Sequence, residues 1–115
     1  MSKRDYRLFL EDMLEAVERI EEYTKGYSFE DFINDRKTID AVVRNLEILG
    51  EAARNIPEEI RKKYQEIPWK RIVGLRNVVI HQYFGVDLKV VWVIISSQLP
   101  QLKDKLVEVL KSEGE

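Results

Sequence analysis

The chain has no cysteine and only one histidine among its 115 residues. The missing thiols exclude disulfide bonds and thiol chemistry, and a single imidazole leaves no zinc-type cluster of cysteine and histidine ligands. A catalytic metal ion would have to be held by carboxylates alone, and we expect no metal and no cofactor. Because histidine is the side chain that most readily exchanges a proton near neutral pH, we expect any acid–base chemistry to involve His81.

Long hydrophobic runs are also missing. The longest run covers residues 90–95, whereas a membrane-spanning helix needs roughly 20 apolar residues. The first residues lack the apolar segment of a signal peptide. We therefore expect one domain over residues 1–115 that does not enter a membrane and resides in the cytoplasm.

Proline and glycine are scarce, with 3 and 5 residues, and the stretches between them are helical in pattern. Apolar residues recur at intervals of three and four, which is the period of an amphipathic helix. The pattern predicts helices at about 4–25, 35–55, 57–64 and 68–84, and a last helix from Asp87 that Pro100 should kink or split. The expected fold is all-α, an antiparallel up-and-down bundle of four to five main helices.

Two glycines, Gly50 and Gly74, lie inside predicted helices. A glycine there costs a helix about 1 kcal/mol relative to alanine. Each is best explained if another backbone packs closely against it.

Positive charge is concentrated in one part of the chain. The net charge is −2, which argues against a general polyanion binder, but residues 54–81 carry 7 Lys/Arg against 3 Asp/Glu. The basic side chains of this window are expected either to form a solvated helix face or to contact phosphates: Arg61, Lys62, Lys63, Lys70 and Arg71.

A helical wheel over residues 69–84 separates two groups of polar side chains. Lys70, Asn77 and His81 form one stripe, interrupted only by Gly74. Most of the remaining circumference is apolar, so the stripe should be the main opening of a largely buried helix.

Arg76 and Tyr83 lie on the apolar side of the same wheel. A lone buried charge is costly, so Arg76 must pair with a carboxylate or extend to a helix edge. We nominate Glu47 and Glu51 as its partners.

The pattern Arg76-x4-His81-x-Tyr83 resembles the signature of the HEPN superfamily. The segments 49–53 (LGEAA), 67–69 (IPW) and 83–87 (YFGVD) are similar to its HepT-type branch. The resemblance implies a helical homodimer that acts as the toxin of a toxin–antitoxin pair, a metal-independent endoribonuclease whose site lies at the dimer interface. It also implies that the partner, a cognate minimal nucleotidyltransferase antitoxin, neutralises the toxin by attaching AMP to Tyr83.

The residue types fit RNA cleavage. RNA supplies its own nucleophile, the 2′-hydroxyl, so the protein needs a base, an acid and cations around the phosphorane. His81 suits the first two roles and Arg76 the third, with Asn77 and Lys70 as positioning groups for the substrate. One chain offers one imidazole, and a two-fold axis beside Gly74 would supply a second.

Two other interpretations remain open at this stage. The chain could be a non-catalytic nucleotide-binding or regulatory partner of a nucleotidyltransferase. It could also be an assembly protein in which Arg76 clamps two helices, His81 bonds a backbone carbonyl and Tyr83 packs in the core. The chain is unsuited to being a nucleotidyltransferase itself, because it lacks the paired aspartates and strands that such enzymes use to hold magnesium.

Overall fold

The computed structural model describes residues 5–81 and 87–114, with the backbone alone for 78–81. This part of the chain contains helices and no strand. The helices are α1 (Tyr6–Thr24), α2 (Phe29–Ile33), α3 (Arg36–Arg54), α4 (Glu58–Lys63), α5 (Trp69–His81), α6 (Leu88–Val93) and α7 (Leu99–Gly114). Four of them, α1, α3, α5 and α7, are long, which confirms the predicted all-α bundle of four to five main helices.

Short polar side chains cap the starts of three helices, two of which, α3 and α6, begin where the sequence predicts them. Asp35 accepts a hydrogen bond from the Thr38 backbone N–H at the start of α3, and Asp87 accepts one from Lys89 at the start of α6. Ser28 and Asp31 form a reciprocal capping box on α2. These bonds satisfy backbone donors that have no partner within the helix, so they fix where each helix starts.

The core lies where α3 packs between α1 and α5, with α7 against the other side of α1. Each of the three helices α1, α3 and α7 contributes a row of apolar side chains at helical spacing. The most deeply buried side chains of these three rows are Leu10, Met13, Val17, Ile20, Val42, Leu46, Leu49, Leu106 and Val109. Their burial stabilises the bundle by roughly 1.5–3 kcal/mol per large side chain.

Two contacts show that α1 and α7 run in opposite directions. Tyr6, at the start of α1, donates a hydrogen bond to Glu113 near the end of α7. At the other end, Lys103 Nζ lies 2.9 Å from Glu21 Oε1. The antiparallel arrangement expected from the sequence is therefore confirmed for this pair.

The two helical glycines differ in their surroundings. A Cβ atom on Gly50 would come within 3.1 Å of the Ile72 carbonyl oxygen and 3.2 Å of the Arg76 backbone nitrogen, so α3 and α5 are in backbone contact there. A Cβ on Gly74 would meet nothing within 4 Å. The prediction of close packing is confirmed for Gly50 and is wrong for Gly74 within one chain, because Gly74 faces outward from α5.

Pro100 is accommodated by a π-helical turn, Ile94–Gln98, immediately before α7. Leu99 N–H donates to the Ile94 carbonyl five residues back, and the wider turn leads into a helix whose second residue is the proline. The kink or split expected at Pro100 therefore takes the form of a change from a π-helical turn to an α-helix just before the proline. No helix in the described ranges is long and apolar enough to cross a membrane.

Candidate active site

The outer face of α5 carries the predicted polar stripe. Lys70 and Asn77 are exposed, and Gly74 between them leaves the surface open. The helix is less buried than the wheel indicates, since only Trp69 and Ile72 are buried among residues 69–77. A long, open polar surface therefore runs along α5.

Arg76 lies at the edge of α5 that faces α3. Its Nε is 3.2 Å from Glu51 Oε1, and 41% of the arginine side chain and 50% of the glutamate side chain remain exposed. The contact depends on Gly50, whose missing side chain lets the Arg76 backbone approach α3. The predicted ion pair is confirmed, and enough of the guanidinium stays accessible to contact a substrate.

Glu47, the second nominated partner, pairs with a different arginine. Its Oε1 is 3.7 Å from Arg44 Nη1, while Glu51 is also 4.0 Å from Arg54. Glu47 and Glu51 are one turn apart on α3, and the register between α3 and α5 places Arg76 beside Glu51. The nomination of Glu47 as a direct partner of Arg76 is therefore wrong.

A cleft of about 360 Å³ lies between α1, α3 and α5 beside Arg76. Among the described residues, its charged lining consists of two arginines, Arg44 and Arg76, and three carboxylates, Asp12, Glu47 and Glu51. Arg44 pairs with Glu47 and Arg76 pairs with Glu51, so the charges of both arginines are balanced from within the cleft. Asp12 and Arg44 were not predicted to line the site, because they belong to helices with ordinary amphipathic spacing.

Two members of the basic window serve the fold. Arg61 donates hydrogen bonds to the carbonyls of Ala53, Arg54 and Ile56 and so caps the end of α3. Lys63 Nζ lies 2.8 Å from Glu113 Oε2. Both side chains therefore make contacts within the fold, and their role as phosphate contacts stays a prediction.

His81 is the last residue of α5, one turn beyond Asn77. Its side chain lies outside the described part of the structure, as does the whole of Tyr83. The backbone of α5 thus carries Lys70, Asn77, Arg76 and His81 on one rigid element. Their expected catalytic, positioning and modification roles remain predictions.

The fold and site together define a small helical bundle built around an Arg-x4-His motif, with the arginine held by a carboxylate from the neighbouring helix. The model of the HepT-like ribonuclease family matches residues 13–109, and the chain belongs to this family.

Curated relatives cover nearly the same length. A protein of Thermococcus cleftensis named "Probable ribonuclease HepT" is 46% identical over 109 residues, which are 95% of this chain and 99% of that protein. A "Putative RNase" of Methanocaldococcus jannaschii is 46% identical over 110 residues, 96% of this chain and all of that protein. A protein of the same description from Caldanaerobacter subterraneus is 44% identical over 107 residues, 93% of this chain and 96% of that protein. No solved structure matched the chain.

Proposed function

We propose that this protein is an endoribonuclease that cleaves RNA without a metal ion and acts as the toxin of a toxin–antitoxin pair. The observation that carries the proposal is the accessible Arg76 guanidinium, held by Glu51 on the helix that ends in the only histidine. Membership of the HepT-like family supports it.

The proposed reaction uses the 2′-hydroxyl of RNA as nucleophile. An imidazole removes its proton while the 2′-oxygen bonds to phosphorus, and the 5′-oxygen of the next nucleotide leaves with a proton from an acid. The products are a 2′,3′-cyclic phosphate and a 5′-hydroxyl end. The guanidinium of Arg76 stabilises the extra negative charge of the phosphorane, and Asn77 and Lys70 position the phosphate.

The base and the acid require two proton-transferring groups, whereas each chain has one histidine. A homodimer with its two-fold axis beside Gly74 would bring two copies of α5 together and supply His81 from each chain. The open surface at Gly74 supports this arrangement, because no part of the described chain fills the space above it.

The test of the proposed activity is RNA cleavage in excess EDTA by wild type and by His81→Ala. Wild type should produce fragments that end in 2′,3′-cyclic phosphate and 5′-hydroxyl groups, and His81→Ala should not. Equal fragmentation by the two proteins would mean that a contaminating nuclease is responsible and would remove the proposal.

The position of the dimer axis has its own test. We expect Gly74→Trp to shift the protein from dimer to monomer in light scattering, because the indole would fill the space where the second chain approaches. Gly114→Trp is the matched control, since Gly114 also has nothing within 4 Å but lies at the end of α7. A Gly74→Trp variant that stays dimeric would place the axis elsewhere.

Regulation by AMP is proposed for Tyr83, which lies outside the described residues. Coexpression with the cognate minimal nucleotidyltransferase should add the mass of AMP to the peptide that contains Tyr83. Tyr83→Phe should abolish the addition and leave the ribonuclease active in the presence of the partner. Modification of a different residue would contradict the assignment.

A further inference from the structure

A shallow groove lies between α4 and the start of α5. Two adjoining depressions, of about 610 and 560 Å³, share Arg61, Gln65, Trp69 and Lys70 in their lining and therefore form one surface. Two cations, Lys62 and Arg71, and one carboxylate, Glu58, complete its charged rim. We call this surface the α4–α5 groove.

Three cations of the α4–α5 groove are free to bind a ligand. Lys70 and Arg71 are exposed and form no ion pair or side-chain hydrogen bond with any other residue in the described ranges. Lys62 lies 3.8 Å from Glu58, but 72% and 82% of the two side chains are exposed, and such a pair contributes little. With Arg61 included, the groove carries four cations against the single carboxylate of Glu58, so its net charge is positive.

Helix stability does not account for Lys70 and Arg71. They occupy the first turn of α5, which contains no acidic residue. The first turn of a helix carries partial positive charge, so cations there are mildly unfavourable. A requirement outside the fold, such as an anionic ligand, explains their position better.

The α4–α5 groove lies on the helix that carries the histidine, and the polar stripe of this helix is open from Lys70 to Asn77. Lys70 and His81 are eleven residues apart on α5, which is about 16 Å along the helix axis. Between them lie the bare surface at Gly74 and the exposed Asn77. A few nucleotides of an extended strand span such a distance.

We propose that the α4–α5 groove binds the phosphates of the RNA strand that flanks the cleaved bond, with Lys62, Lys70 and Arg71 as the contacts. The inference rests on the proposed ribonuclease function and adds the path of the substrate. The strand is placed on this side of α5 because Lys70 and Arg71 have no ion pair in the described ranges, whereas Arg44 and Arg76 in the cleft each pair with a carboxylate.

The test measures binding separately from cleavage. Affinity for a single-stranded 2′-O-methyl oligonucleotide, which lacks the nucleophile, is followed by fluorescence anisotropy at several salt concentrations. Each phosphate contact on a single strand contributes about −0.7 to the slope of log affinity against log salt, so Lys70→Gln with Arg71→Gln should reduce the slope by about 1.4. The same relation gives an affinity about tenfold weaker near physiological salt.

The matched control is Arg36→Gln with Lys37→Gln. These two cations are exposed in the first turn of α3, and their side chains have no ion pair among the described residues. They lie outside the α4–α5 groove, so the control variant should bind the oligonucleotide as wild type does. Unchanged thermal unfolding of both variants shows that neither disturbs the fold.

The inference is overturned if the Lys70/Arg71 variant binds as tightly as wild type, or if the control variant loses as much affinity. Cleavage of unmodified RNA, measured in parallel, separates this failure from that of the proposed function. If the Lys70/Arg71 variant cleaves RNA as wild type does, the proposed role of the groove is wrong, and the proposed ribonuclease function stands. If wild type binds the oligonucleotide through Lys70 and Arg71 but cleaves no RNA, the proposed role of the groove stands and the proposed ribonuclease function is wrong.

Discussion

Arg76→Ala is expected to lower the rate of RNA cleavage by about a hundredfold to a thousandfold while the protein stays folded and keeps the oligomeric state of wild type. Loss of one charge-stabilising donor typically costs that much in rate, because the donor acts on the charge that develops in the transition state. The fold should tolerate the change, since the pair with Glu51 is about half exposed and such pairs contribute at most about 1 kcal/mol. Initial rates on a labelled RNA and a thermal melt check both parts.

Glu51→Gln distinguishes positioning of Arg76 from its direct role. The amide keeps the shape of the side chain but removes the charge that holds the guanidinium, so cleavage should fall less than in Arg76→Ala. Glu47→Gln is the matched control, because Glu47 lies one turn away on α3 and pairs with Arg44. Equal losses in the Glu47 and Glu51 variants would indicate a general effect of charge in the cleft.

The assembly interpretation makes the opposite prediction for the motif. If Arg76 only clamps helices, Arg76→Ala should unfold the protein or break the dimer, and His81→Ala should leave every measured property unchanged. Arg76→Lys adds a further contrast, since lysine keeps the charge but loses the planar fork that binds phosphate oxygens. A lysine variant with full activity would show that charge alone is sufficient.

The helices could be predicted because their causes are local. Apolar spacing predicts α1 and α3 to within two residues, and Asp35 and Asp87 cap the helices that were predicted to begin there. The π-helical turn before Pro100 was not predicted. Its form depends on how α6 and α7 pack on the rest of the bundle, which the local sequence does not specify.

The sequence predicts which residues of α5 belong to the site, but it does not predict their exact partners on other helices. A charged side chain on the apolar side of α5 needs a carboxylate as partner, and the nominated carboxylates lie on α3. The choice between Glu47 and Glu51 depends on the offset between two helices, which Gly50 sets by allowing close approach at one level. The contacts of Arg61 and Lys63 within the fold were not predicted for a similar reason, because their partners lie on other elements of the fold.

The end of α7 is held by a cluster that the sequence did not indicate. The Glu113 carboxylate accepts hydrogen bonds from Tyr6 and Tyr64 and pairs with Lys63, and only 8% of its side chain is exposed. Lys63 first, and then the two tyrosine hydroxyls, lower the pKa of Glu113 to about 2. The same contact with Glu113 raises the pKa of Tyr6. The charged form of Glu113 therefore stabilises the folded chain.

Glu113→Gln is expected to reduce the free energy of unfolding at pH 7 by about 2 kcal/mol, since hydrogen bonds to a charged group contribute about 1.5–3 kcal/mol. For a domain of this size the melting temperature should fall by about 10 °C. Glu108→Gln, at an exposed position of α7, is the control and should melt like wild type.

The dependence on pH follows from the lowered pKa of Glu113. A carboxylate whose pKa is lower in the folded than in the unfolded state stabilises the fold above its unfolded value and loses that effect as it is protonated. The difference in melting temperature between wild type and Glu113→Gln should therefore be full above about pH 4.5 and shrink as the pH falls towards about 2. If the difference in melting temperature stays unchanged down to about pH 2, the charge of Glu113 is not its cause, because Glu113 becomes protonated in that range. The glutamine amide would then destabilise the fold for steric reasons.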